Sequence, residues 1–239
     1  MTDDARQTRR EGLAELAEDA VGFGGQELRL TRDLLLRPHV VMDAYDAHGS
    51  TAGGLYPKPL RYYLTLMGLY VLAIALVGGF ERQISGESFS TLFTPFAANA
   101  GKTLAEFQSD FEQWYSLLSV PVTAFFFGGA TYLLIRKWSP ANDRQDFRQT
   151  FTYLNAFSVL GIPCGFVAML SPSISLFMLP LSFFLMALTY ARGGGGRWWR
   201  TRTGAWGKGA LLLLVNLVAY LPAVVLLLGL SIGGARFLP

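Results

Sequence analysis

Residues 209–234 read GALLLLVNLVAYLPAVVLLLGLSIGG, a run without a single Lys, Arg, Asp, Glu or His. About 20 helical residues, at a rise of 1.5 Å each, cross a hydrocarbon core roughly 30 Å thick. The stretch therefore predicts a membrane-spanning helix. Four further stretches share its character, at 62–80, 115–135, 150–170 and 173–191, and none of them carries an ionisable side chain of those five types. The expected fold class is all-α, a polytopic integral membrane protein with five transmembrane helices.

Composition agrees with this reading. Hydrophobic residues make up 51% of the 239-residue chain and charged residues 15%, against about 25% charged in an ordinary soluble domain. The mean hydropathy is +0.33. The apolar residues are gathered into blocks and not spread at the spacing of a half-buried helix. A single cysteine, Cys164, lies inside the third block, which excludes an intramolecular disulfide and a cysteine-based zinc site. Its small apolar side chain suits packing.

Basic residues near span ends are retained on the cytoplasmic side. Lys58 and Arg61 precede the first span, Arg136, Lys137, Arg144 and Arg148 follow the second, and Arg192, Arg197, Arg200, Arg202 and Lys208 join the fourth to the fifth. The opposite side holds only Arg82, Lys102 and Arg236, beside several carboxylates. This places the N-terminus in the cytoplasm and the C-terminus outside. Residues 1–30 are charged and lack an apolar h-region, so no cleavable signal peptide is expected.

Two segments precede the expected membrane domain, 61–239, and a third lies within it. Residues 1–24 read as a charged cytoplasmic arm. Residues 25–60 read as an elbow of two short interfacial helices: Leu28, Leu34 and Leu35 alternate with Arg29, Arg32 and Asp33 before Pro38, which ends one helix and can start the next. Val41, Met42 and Tyr45 follow. At 88–114, an aromatic cluster around Phe93 is followed, after a break at 95–101, by Leu104, Phe107, Phe111 and Trp114 at three- and four-residue spacing. That spacing predicts an external amphipathic helix. Phe107, Phe111 and Trp114 outside, and Leu35, Arg37 and Tyr45 inside, are the candidate contacts for a protein partner.

The loop ARGGGGRWWRTRTGAWGKG, residues 191–209, invites a phosphate-loop reading that its spacing rejects. Gly207 and Lys208 are followed by Gly209 where Ser or Thr is required, and the position five before Gly207 is Arg202. Arg197, Trp198, Trp199, Arg200 and Trp206 instead suit the membrane interface, with indoles at headgroup depth and guanidinium groups drawn to anionic lipid. Membrane lipid is thus an expected partner, and nucleic acid is not.

Signatures of chemistry are scarce. His39 and His48 are the only histidines, no HExxH, GxSxG or paired intramembrane carboxylate occurs, and neither a cofactor nor catalytic residues are expected. Asn155 and Asn216 can hydrogen-bond between spans. Gly161 with Gly165, and Gly229 with Gly233, have GxxxG spacing, and Pro163, Pro180 and Pro222 should kink their helices.

Leu34-Leu35-Leu36-Arg37-Pro38, then Tyr45, Pro59 and Arg61-Tyr62-Tyr63-Leu64 entering a span, resemble the entry segment of an uncharacterised family of bacterial polytopic membrane proteins. The five-span layout with Gly161-Ile162-Pro163 in the third span is also similar to the Yip-domain family. The resemblance implies a bacterial inner-membrane location and supplies no catalytic residues; many relatives open with a cysteine zinc ribbon, which this chain lacks. A non-catalytic scaffold or accessory subunit is the expected role. The alternative is a small-molecule or lipid transporter with a cavity lined by Asn155, Pro163 and Asn216.

Overall fold

The computed structural model describes residues 24–76, 87–139, 143–168, 172–195 and 197–237. The charged arm lies outside this range apart from Gly24, as do residues 77–86, which include the end of the first expected span, and Ser171 of the expected hairpin turn. Every regular element described is helical: α1 Gly25–Leu36, α2 Pro38–His48, a 3-10 turn Ala52–Gly54, α3 Pro59–Leu76, α4 Glu87–Ala100, α5 Leu104–Trp138, α6 Asp143–Ala168, α7 Pro172–Gly193 and α8 Arg202–Phe237.

Local chemistry sets the boundaries. Pro38 has no N–H to donate and stands at the first position of α2, so the chain breaks at Arg37, whose own N–H closes α1 on the Asp33 carbonyl at 2.8 Å. Gly101, at φ +67°, ends α4 in the left-handed conformation that suits glycine. Two residues later Thr103 caps α5: its hydroxyl accepts from the Glu106 N–H at 3.3 Å, while the Glu106 carboxylate takes the Thr103 N–H at 2.9 Å.

Two expected boundaries move. The external helix ending at Trp114 and the span beginning at Tyr115 are one helix of 35 residues, because no Gly or Pro interrupts 104–120. The aromatic residues are thus the first turns of α5. The expected break at 95–101 likewise moves to 101–103, since α4 runs on through Pro95. At the other end of the chain, α8 starts at Arg202 and not at Gly209, which brings Trp206 and Lys208 into a helix.

Among the described residues, three helices are long and apolar enough to cross a membrane, Leu104–Trp138, Asp143–Val167 and Arg202–Phe237, and Pro59–Ile74 is a shorter apolar helix. The second, third and fifth expected spans meet that criterion. Their outward side chains are large and apolar: Leu117, Phe125 and Leu133 on α5, and Leu214, Leu221 and Val225 on α8, are exposed. Such surfaces are the reverse of a water-soluble bundle and are those of a membrane protein.

Helix directions alternate. α5 and α8 run antiparallel along their whole length, with Phe107 and Phe111 against Ala235 at one end, Val122 against Ala223 and Leu227 midway, and the Lys208 ammonium 5.3 Å from the Trp138 ring at the other. α6 runs parallel to α3, with Asn155 donating to the Pro59 carbonyl at 2.8 Å and the Tyr70 and Phe166 rings 5.4 Å apart. α7 returns antiparallel to α6, where the Tyr153 hydroxyl donates to the Met186 carbonyl at 3.3 Å. Glycine allows the tightest approaches, but not at the expected GxxxG pair of α8: a Cβ at Gly229 or Gly233 meets open space, whereas one at Gly234 would lie 2.5 Å from the Trp114 indole.

Gly234→Ala should therefore displace Trp114 and lower stability by about 1–3 kcal/mol, as overpacking of a filled site does. Gly233→Ala should be near neutral. Thermal unfolding of both variants in mild detergent, followed by tryptophan fluorescence, checks the contrast.

Candidate functional site

One end of the bundle gathers most of the polar chemistry, where the α1–α2 elbow meets the basic loop between α7 and α8. The elbow is held by its buried face. Leu30, Leu34, Val41 and Tyr45 pack with Tyr56 and Tyr62 against Ala156 and Val159 of α6. Each tyrosine hydroxyl then finds a partner: Tyr45 donates to the Pro57 carbonyl at 2.5 Å, Tyr56 to Asp33 at 2.8 Å, and Tyr62 pairs with the Thr31 hydroxyl at 2.6 Å. Burial without such partners would cost each hydroxyl about 1–3 kcal/mol.

Asp33 is the centre of this elbow. Only 2% exposed, it accepts from Tyr56, from Arg32 Nε and Nη2 at 3.0 and 2.9 Å, and faces Arg37 at 3.5 Å. Burial pushes its carboxyl pKa up, but the Tyr56 and Arg32 hydrogen bonds and the two guanidinium charges outweigh that and hold it below the usual carboxylate value. The Tyr56 hydroxyl moves to about 12, because burial and the Asp33 charge both oppose its ionisation.

The basic loop is largely turned inward. Arg192 donates to the Leu35 and Leu36 carbonyls at 2.6 and 2.8 Å and so caps the C-terminus of α1. Arg197 donates to Asp46 at 2.6 Å and to Asp43, and Asp46 also accepts from Gln149 of α6 at 3.1 Å. Lys208 donates to the Trp198 carbonyl. The Trp198 ring stacks on Tyr190 at 5.5 Å and is only 2% exposed. Of the five residues expected at the membrane interface, Trp198 is therefore buried and Arg197 half-buried in ion pairs, with Trp199 folded beside Trp198. The physical reason is Gly194, over which both indoles fold: a Cβ there would lie 2.4 Å from Trp199 and 2.5 Å from Trp198.

Arg200, Arg202 and Trp206 remain exposed, and Trp199 is partly so. Together with Thr201 and Ala205 they line an open cleft of about 500 Å³ at the start of α8.

At the opposite end, Phe107 and Phe111 are fully buried with Phe93 against Ala235, and Trp114 covers Gly234. Phe107 and Phe111 thus close the bundle, while Trp114 is half-buried. Lys102 locks the same end, donating to Asp110 and to the Ala235 carbonyl, both at 2.7 Å. On the elbow Tyr45 is likewise buried, whereas Leu35 and Arg37 stay on the surface. Between the ends, Asn216 donates to the Leu212 carbonyl at 2.9 Å and reaches Thr131 of α5 at 3.4 Å. Asn155 joins α6 to α3. Both amides tie helices together.

Sequence reasoning missed the acceptors of this network. Asp33 lies four residues before Arg37, a spacing that could have marked a helical ion pair. Asp43 and Asp46 share one face of α2 opposite a basic loop; only the three-dimensional pairing with Arg197 reveals their role. No group of three or more His, Cys, Asp or Glu placed to hold a metal occurs among the described residues. No family model, curated protein or solved structure matches this chain.

Because Asp33 ionises more readily folded than unfolded, its contribution is full above the unfolded value of about 3.9 and is lost as pH falls through the lower folded value. Asp33→Asn should cost about 1–3 kcal/mol at pH 7. The gap between wild type and variant should close below about pH 4, as measured by unfolding midpoints across an acid series.

Proposed function

We propose that the chain is a five-crossing membrane protein of a bacterial inner-membrane type, with its N-terminus inside and its C-terminus outside, acting as a non-catalytic scaffold or accessory subunit. The alternating directions of α3, α5, α6, α7 and α8 support five crossings. Placing the elbow and basic loop at one end agrees with cytoplasmic retention of Arg and Lys. The layout also suits the resemblance to the bacterial family and to the Yip-domain proteins.

The observation that carries the role is the use to which the polar groups are put. Asp33, Asp46, Arg192, Arg197 and Lys208 are engaged in holding elements to one another, as are Asn155 and Asn216. Leu28, Leu35 and Leu36, by contrast, stand exposed beside Arg37 on the elbow. A rigid platform with an apolar and basic rim suits docking better than turnover.

Two measurements test this. With Cys164→Ser, a cysteine placed at Arg236 should react with an impermeant maleimide added from the outer side only; labelling from the cytosolic side would reverse the topology. Purified in mild detergent, the protein should carry a stoichiometric protein partner that Leu35→Glu with Leu36→Glu releases while the helical content stays unchanged. A lone particle with a small molecule bound between α6 and α8 would favour transport.

A further inference from the structure

The loop between α7 and α8 divides its cations into two sets. Arg192, Arg197 and Lys208 are consumed by carbonyls and carboxylates within the protein. Arg200 and Arg202 are not in any ion pair of the described residues and flank the cleft of about 500 Å³ whose other walls include Trp199, Thr201, Ala205 and Trp206. Two arginines line the cleft at the start of the 36-residue α8, where the Thr201 hydroxyl accepts the Gly204 N–H at 3.2 Å, and paired guanidinium groups at a helix N-terminus favour a phosphate oxyanion.

The cleft does not end in water. From Trp206, 55% exposed, a stripe of outward side chains continues along α8 through Ala210, Leu214, Leu217 and Leu221, all exposed. Steps of four, four, three and four residues keep that stripe on one helix face. An indole at the junction of a basic cleft and an apolar face occupies the depth at which tryptophan sits between headgroups and acyl chains. A free phosphate ion would use the cleft and leave the stripe bare, whereas a phospholipid would use both.

We propose that this cleft binds the phosphate of an anionic membrane phospholipid, with an acyl chain laid along Trp206, Leu214 and Leu221. The inference rests on α8 crossing the membrane, and needs no protein partner. It distinguishes a seated lipid from the general attraction of a basic loop to a charged bilayer, because only two of the five loop cations face the ligand.

Tryptophan quenching in the purified full-length protein tests it. Brominated-chain phosphatidylglycerol added in mild detergent should quench saturably, and brominated phosphatidylcholine should not. Arg200→Gln with Arg202→Gln should weaken phosphatidylglycerol binding about 30-fold, at about 1 kcal/mol per arginine, whereas Arg200→Lys with Arg202→Lys should retain most of it. Trp206→Phe should remove the largest quenched component. Helicity and elution volume should be unchanged in all variants, because the three side chains are exposed. Equal quenching by both lipids, wild-type affinity in the glutamine variant, or full competition by millimolar inorganic phosphate would overturn the proposal. These outcomes do not depend on whether a protein partner co-purifies.

Discussion

A helix leaves its last carbonyls without partners, and side chains from neighbouring elements can satisfy them. Two cations meet part of that demand here, and a third ties a helix to the loop before it. Arg192, on the last turn of α7, takes the two carbonyls that end α1. Lys102, between α4 and α5, takes the Ala235 carbonyl near the end of α8. Lys208, early in α8, takes the Trp198 carbonyl of the preceding loop. Every one of these bonds also fixes the position of one element relative to another.

That double duty explains why the two ends of the bundle are so differently built from its middle. Between the ends, contact is apolar with a few amides and hydroxyls, such as Asn216 with Thr131 and Asn155 with Pro59. In hydrocarbon such contacts gain little from excluding water and depend on close fit, for which small residues are suited. Gly128 accepts the Phe151 ring at 3.3 Å and Gly165 the Tyr70 hydroxyl at 3.2 Å, each measured to where a Cβ would stand. At the ends, charge-assisted bonds of 2.6 to 2.8 Å add direction. Close fit sets how near the helices lie, and the ionic ends set how they are registered.

How much of this the sequence disclosed depended on range. Hydropathy found the apolar helices because their signal is summed over about 20 neighbouring residues, and Pro38 marked the elbow because its constraint is local. The fate of individual side chains was legible only as alternatives. Phe107 and Phe111 have a spacing that serves equally for a docking face and for a core, and only Phe93 and Ala235, distant along the chain, decide for the core. Trp198 and Trp206 are alike in composition and neighbourhood, yet Gly194 draws the first beneath the loop while the start of α8 holds the second outside. Asp43 and Asp46 carried no signal at all until Arg197, some 150 residues away, was set against them.

The pairing of α5 with α8 has a consequence for biogenesis. These two helices occupy Leu104–Trp138 and Arg202–Phe237, so their interface joins two segments between which α6 and α7 are made. Until α8 emerges from the ribosome and inserts, the groove of α5 that will receive it, including Val122 and Thr131, has only lipid or insertion machinery for company. Contacts so distant along the chain form slowly and leave partly assembled intermediates exposed. Cutting the chain before Ala235 would remove the carbonyl that Lys102 holds and leave α8 without that clasp.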